Sequence, residues 1–468
     1  MRDARPFLIF LLAFLAFAHF TQQESHNVQQ YTRLALTVSM LEGHLEIDRY
    51  ALANPRADLS FFNGHYYADK VPGLSLLALP SVAATRAVLG LLGRPTDMLD
   101  DGAYVLYTIA ATLGTVAILG ALAVVACFGV ARRLGASENR ATVAAFILCL
   151  GTPFFGWSTT LFAHVPAGAM LILALWAALA LHDRQTAGWP ELGFGVLLGL
   201  ALVIEVAIAP AIVVIGVFAL LQRRVLVMRW LAVGLGGAIG LLPLLVYNWL
   251  AFGSPLDLGY SHVVGFEGMQ EGFFGIRPPD LAVANALLFG FQRGLIPLSP
   301  ILLFVPVGLV AMWKKGLKGP MLVIAAAALI GWAINAGYFY WHGGYSTGPR
   351  HLVAILPLIA VSLAFVDLPT TTDKIVATAL TTVSLVFSVM CAEVSMFAPT
   401  DYLVAIRDFV LPKFIDPLEL LHATPIIVLW SGFIWLLMQP AGAISLSARP
   451  RTASPSTRRA HRSAGSGS

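Results

Sequence analysis

Long apolar runs of about 15 to 25 residues, separated by shorter polar stretches, recur along the chain from Phe7 to Met438. A helix needs roughly 20 apolar residues to cross a bilayer, so the pattern predicts an all-α integral membrane protein with about 12 transmembrane helices. The runs are continuous rather than alternating, which excludes an outer-membrane β-barrel. The predicted spans are 7–20, 104–131, 141–157, 162–182, 191–206, 208–221, 230–251, 295–313, 320–340, 351–367, 374–397 and 424–440. Val71 to Leu92 is apolar enough to span as well. Counting it as a crossing would place Arg132, Arg133 and Arg140 outside, against the preference of basic residues for the cytoplasmic side, so it is laid in the outer interface as a juxtamembrane helix. The run from Glu191 to Leu221 is long for one helix and is interrupted by Glu205 and Pro210, so it reads as two short spans meeting near the outer face.

Composition sharpens this. The chain is 58% hydrophobic and 12% charged with a mean hydropathy of +0.79, against roughly 25% charged residues in a soluble domain. A soluble enzyme on a single anchor is excluded. The net charge of +4 and pI near 9.0 follow from topology rather than from nucleic-acid binding. Most basic residues, among them Arg2, Arg5, Arg223, Arg224, Lys314 and Lys315, fall in cytoplasmic segments, and the acids gather outside. Both termini are then cytoplasmic. The start of the chain also has the parts of a cleaved signal, with Ala16-Phe17-Ala18 as its small-residue site; the preferred reading keeps it as the first span. Cys127, Cys149 and Cys391 lie within apolar stretches, which speaks against disulfides and a cysteine metal site. The expected organisation is a polytopic domain over 1–440, with an outer loop at 21–103 carrying interfacial helices and a second at 253–294, followed by a disordered basic cytoplasmic tail over 441–468.

Long outer loops direct the search for chemistry outward. Between Val28 and Leu41 the apolar residues recur at helical spacing, which predicts an amphipathic interfacial helix. Further on, Asp69-Lys70 precedes Pro72-Gly73 and places a paired charge where an apolar helix begins. A lysine there can meet a lipid phosphate as a compact point charge. His164, Glu205, Arg293 and the loop holding Trp341, His342, Arg350 and His351 stand at predicted outer helix ends. Singly each reads as solvated or capping; together they outline one outward-facing polar chamber. Glu205 and Glu393 carry extra weight, because an ionisable group at membrane depth faces a cavity or a partner. Phosphate-loop, zinc-protease and nucleophile-elbow motifs are missing, as are paired interrupted helices of an inverted-repeat transporter.

The order of parts, together with Tyr66-Tyr67-Ala68-Asp69-Lys70-Val71-Pro72-Gly73, resembles the polytopic glycosyltransferases of the GT-C type. These include protein O-mannosyltransferases (glycosyltransferase family 39) and aminoarabinose transferases. The likeness covers about the first 370 residues. Tyr247-Asn248-Trp249, Gly253-Ser254-Pro255, Leu258 to His262 and Gly343 to His351 look like a bacterial subgroup of glycosyltransferase-like membrane proteins.

The resemblance implies a polyprenyl-phosphate sugar donor with its tail in the bilayer of the bacterial cytoplasmic membrane. It also implies an envelope lipid, glycan or protein as acceptor, reached from the outer side, with no cofactor and no metal. Lys70 matches the lysine such enzymes place against the donor phosphate, with Arg293 and Arg350 as further phosphate ligands. His164 stands where several relatives have a carboxylate, and Glu205 where some have a polar residue beside a proline. Asn27, His65, Tyr66, Tyr67, Asp69, Tyr260, His262, Trp341, His342 and His351 complete the expected substrate contacts.

One departure stands out. Relatives carry an acidic pair near the start of the first outer loop, and this chain has Asn27 or Val28 there. Glu24 and Asp48 are the remaining candidates for the catalytic carboxylate, and Asp48 is preferred because Ile47 and Tyr50 would help to bury it and raise its basicity. The expected activity is transfer of a hexosyl or pentosyl group. Transport or flipping of a lipid-linked sugar, or its binding without catalysis, is the alternative that Asn27 favours.

Overall fold

The computed structural model describes residues 2–22, 27–54, 58–182, 188–221, 227–439 and 445–446. Among these, seven helices are long and apolar enough to cross a membrane: Gly73–Leu91, Asp101–Arg133, His164–Leu181, Arg229–Phe252, Lys318–Gly337, Thr371–Val394 and Pro417–Met438. Shorter apolar helices at Arg5–His19, Trp189–Ile204, Val206–Leu221, Pro300–Lys314 and Arg350–Leu363 pack with them. The chain is a multi-pass helical membrane protein. Leu231, Leu235, Trp249 and Leu250 stay exposed along one helix, as side chains facing lipid would.

Several expected spans are interrupted, and proline explains where. The span 295–313 is split into a short helix Leu295–Leu298, a 3-10 turn Pro300–Phe304 and a helix Val305–Lys314, with Pro297, Pro300 and Pro306 removing backbone donors. The span 141–157 breaks after Leu150, before Pro153. Gly73–Leu91, laid in the interface by the charge argument, is itself of spanning length. The proposed tail lies outside the described residues, apart from Ser445–Leu446, which pairs with Arg2–Asp3.

The first outer segment folds inward. Helix α1 (Val28–Leu41) starts at Asn27, whose side chain accepts hydrogen bonds from the Gln29 and Gln30 N–H groups. The amphipathic pattern predicts one solvated face, yet α1 is buried from Gln29 through Ser39. Its polar side chains find partners instead: Thr32 bonds Val28 O at 2.8 Å and Thr37 bonds Arg33 O at 2.9 Å.

Strands β1 (Leu59–Phe62) and β2 (His65–Ala68) form an antiparallel hairpin in which Leu59 faces Ala68 and Phe62 faces His65. Asn63 and Gly64 close it with φ of 48° and 88°, the left-handed pair a two-residue turn needs. This Asn-Gly signal is present in the sequence, although the segment reads as interfacial helix and loop. The second outer loop is strapped across the hairpin, with Val264 N–H on Leu59 O at 2.9 Å and the Ser60 hydroxyl on Gly259 O at 2.6 Å.

Helix α2 (Gly73–Leu91) begins pressed on the backbone of Val203, where any Cβ at position 73 would overlap the Val203 carbonyl. Val203 belongs to α4 (Trp189–Ile204), which follows α3 (His164–His182). At Glu205 the backbone is extended, with φ −158° and ψ 110°, and α5 (Ala209–Leu221) resumes after a short 3-10 turn. Two short helices thus meet at Glu205, as the interruption by Glu205 and Pro210 predicts. Gly195 and Gly199 of α4 lie against the backbone of α6 (Val227–Phe252), and Gly236 and Gly240 of α6 return the contact.

Candidate functional site

The hairpin delivers Asp69 and Lys70 to the mouth of α2. Lys70 Nζ contacts the Asp69 carboxylate, lies 3.6 Å from Asp58 and sits 5.7 Å from the centre of the Tyr260 ring. Asp69 is 2% exposed, and its second oxygen, Oδ1, is buried without a hydrogen-bond partner. Burial pushes the Asp69 carboxyl up to about 6 against the pull of Lys70, with Asp58 adding to the rise. For Lys70, burial works against the charge, but Asp69 and Asp58 outweigh it and hold the ammonium above its ordinary value. The Tyr260 phenol is pushed well above its ordinary value by burial, then by Glu205 and Asp69, and remains an O–H donor.

Three further elements close on this point. His164 opens α3, Glu205 occupies the break between α4 and α5, and Arg350 and His351 begin the 3-10 turn Arg350–Ile355. His164 Nδ1 is 3.9 Å from Glu205 Oε2, and the His164 and His351 rings are 5.3 Å apart. Arg350 lies over the Phe162 ring at 5.4 Å. From α1 comes Arg33, 3% exposed, its Nε and Nη1 buried without hydrogen-bond partners; the Arg350 Nε is in the same condition. Arg33, Lys70 and Arg350 all act electrostatically on both Glu205 and His164. The cluster therefore opposes three cations to the carboxylates Asp58, Asp69 and Glu205, with Arg33 Nε, Arg33 Nη1 and Arg350 Nε lacking hydrogen-bond partners among the described residues. Buried unsatisfied donors call for a ligand or water, and cationic ones suit a phosphate. Among the described residues, no group of three or more His, Cys, Asp or Glu side chains is arranged to hold a metal ion.

The expected site residues divide between the chamber and its surroundings. Lys70, Asp69, Arg350, His164, Glu205, Tyr260 and His351 come together there. Asp48 does not: it accepts from His65 Nδ1 at 2.7 Å and from the Tyr66 N–H at 2.6 Å. Ile47 and Tyr50 are buried, but the Asp48 side chain is 36% exposed, because it points to the solvent side of the hairpin. The expectation that those neighbours would bury it is corrected accordingly.

Arg293 also departs from its expected role. Its guanidinium donates to the carbonyls of His342 (3.2 Å), Gln292 (3.0 Å), Gly344 (3.1 Å) and Ala398 (3.4 Å), which commits it to holding loops. Asn27 is a helix cap, and Glu24 lies outside the described residues. His65 is exposed beside Asp48, while Tyr66 and Tyr67 pack on Phe61 and Phe252. His262 pairs with Asp257 at 2.9 Å and stacks near Phe252. Trp341 lies edge-on to His342, whose Nδ1 accepts the Gly344 N–H at 3.0 Å.

Sequence reading missed Arg33, Asp58 and Gln30. Gln30 is fully buried; its Oε1 accepts the Leu161 N–H at 2.8 Å and its Nε2 has no partner. Arg33 is the one charged residue in α1, a weak signal that its burial turns into a strong one.

No family model and no curated protein matches this chain. Among solved structures it is similar to ArnT from Cupriavidus metallidurans bound to undecaprenyl phosphate, at 13% identity and a TM-score of 0.48, over 93% of this chain and 77% of that one. The same ArnT in the apo state gives 14% identity and a TM-score of 0.47, over 92% and 76%.

Proposed function

We propose that the chain is a membrane glycosyltransferase that takes a sugar from a polyprenyl-phosphate donor and passes it to an envelope acceptor on the outer side of the bacterial cytoplasmic membrane. The observation that carries this reading is the group Arg33, Lys70 and Arg350, gathered in a buried chamber of a helical membrane protein, with guanidinium nitrogens that lack partners. The resemblance at Tyr66 to Gly73 supplies the donor class. The reaction is a nucleophilic substitution at the anomeric carbon. The acceptor oxygen forms the new bond, the bond from that carbon to the phosphate oxygen breaks, and polyprenyl phosphate leaves with the electron pair. Cations already in place stabilise that departing charge without reorganisation. Arg293 positions the 342–344 loop beside them. The excess of basic residues in the segments read as cytoplasmic supports both termini inside and this cluster outside.

The test is lipid mass spectrometry of a deletion strain. Accumulation of one polyprenyl-phosphate sugar, with loss of that sugar from an envelope glycan, is expected; two unchanged pools overturn the reading. Movement of a lipid-linked sugar between leaflets is the second reading, favoured by the capping role of Asn27 and the engagement of Asp48 away from the chamber. Its signature is donor that changes leaflet with its sugar still attached.

A further inference from the structure

Resting on that reading, we propose that His164, oriented by Glu205, is the general base that takes the acceptor's proton. Transfer to a hydroxyl needs a base within reach of that hydroxyl; of the two first-loop candidates, Asp48 is held by His65 and the Tyr66 N–H, and Glu24 lies outside the described residues. Asp69 is tied to Lys70, the cation that meets the leaving phosphate, so it stands on the departing side of the sugar. An in-line displacement places the base on the other side.

His164 has the parts required of such a base. Its Nδ1 is 3.9 Å from the Glu205 carboxylate, and its Nε2 is buried with no hydrogen-bond partner. At 3.9 Å the two do not yet hydrogen-bond; a carboxylate closing on Nδ1 would select the tautomer with the proton there and leave the Nε2 lone pair to accept one. A gap of this size is ordinary before substrate binds and tightens in the reacting complex. Glu205 can hold that position because the chain breaks there: its extended backbone turns the carboxylate out of the helix ladder, and the Ala207 N–H steadies it. His351, a partly exposed imidazole whose Nε2 is also buried without a partner, bonds the Tyr340 backbone and has no carboxylate partner among the described residues.

In the proposed step the acceptor O–H proton passes to His164 Nε2 as the acceptor oxygen bonds the anomeric carbon. The electron pair of the breaking bond goes to the phosphate oxygen, facing Arg33, Lys70 and Arg350. Glu205 stabilises the imidazolium until its proton returns to water.

The experiment uses full-length protein in proteoliposomes, with host lipid extract carrying radiolabelled polyprenyl-phosphate sugars and host envelope membranes as acceptor. Polyprenyl phosphate itself is the binding probe. His164→Ala is expected to lower kcat about 100-fold or more, to leave the Kd for polyprenyl phosphate within about twofold, and to regain activity when imidazole is added. Glu205→Gln is expected to keep partial activity, with the acid limb of the kcat profile moved to lower pH, because the imidazolium loses its counter-charge. The groups around His164 that shape this limb are Glu205, His351, Arg350, Arg33 and Lys70. Unchanged kcat in His164→Ala overturns the assignment, as does a loss that imidazole does not rescue together with a Kd raised more than about tenfold. Wild-type protein that transfers no sugar overturns the proposed function and this assignment with it.

Discussion

Lys70 engages one oxygen of Asp69 and leaves the other buried with no hydrogen-bond partner among the described residues. The pair is therefore unfinished: Lys70 has donors to spare, and Asp69 has an acceptor in surroundings that raise its proton affinity. Removing the cation leaves Asp69 and Asp58 facing each other. Lys70→Ala should abolish sugar transfer and lower the melting temperature, on the scale of about 3 kcal/mol for a broken buried pair. Transfer assays and thermal unfolding in detergent check both.

Asp69 also gives stability a pH dependence. Its folded-state value of about 6 exceeds the ordinary 3.8, so between these pH values the folded protein holds a proton that the unfolded chain has released. The stability contributed by this group falls as pH rises through that window. Asp69→Asn, which cannot ionise, should therefore gain on the wild type in melting temperature from pH 4 to pH 7. A constant difference across that range contradicts the raised value.

Arg33 shows the opposite economy. An ion buried without a hydrogen-bonded partner is destabilising by several kcal/mol, so Arg33→Met should leave thermal stability unchanged or raise it. The same change should weaken polyprenyl-phosphate binding about tenfold or more, the worth of one charge-assisted hydrogen bond. Equal affinity in the variant would remove Arg33 from the phosphate site.

Arg293 donates to four carbonyls from three stretches of chain, a geometry that an ammonium with three donors on one atom cannot copy. Arg293→Lys should cost about 2 kcal/mol of stability and leave the KM for donor in the folded protein near wild type. A large rise in KM with unchanged stability would restore Arg293 as a phosphate ligand.

Gly73 couples two parts of the site, since α2 starts against Val203, two residues before Glu205. Gly73→Ala should push Lys70 and Glu205 apart, lowering both stability and transfer. A variant with full activity would show that α2 can withdraw without moving Lys70.

The helices were legible because hydropathy decides them, and the break at Glu205 was legible because a carboxylate and a proline interrupt one apolar run. Lys70, Asp69, His164 and Arg350 were legible as charges or imidazoles at apolar helix ends. Arg33 was not, because on α1 it reads as part of a solvated polar face. Only the packing of α2, the hairpin and the 159–164 turn around α1 makes that face interior. Asp48 misled for the converse reason: apolar neighbours in sequence lie on the inner side of its helix while it lies on the outer. Arg293 could be placed near this cluster, but three of the four carbonyls that occupy it belong to residues 49 to 105 positions away, a proximity that local pattern does not encode.

Arg33, Lys70 and Arg350 against Asp58, Asp69 and Glu205 also mean that these six groups, all ionised, sum to no net charge. Water-soluble anions such as inorganic phosphate meet no field drawing them in from a distance. An anion delivered by a membrane-anchored chain arrives already concentrated at the entrance, and only at contact does it find the unpaired N–H groups. On the proposed function, selection against soluble competitors would then lie in this charge balance, with the tail of the ligand rather than its headgroup supplying the first discrimination.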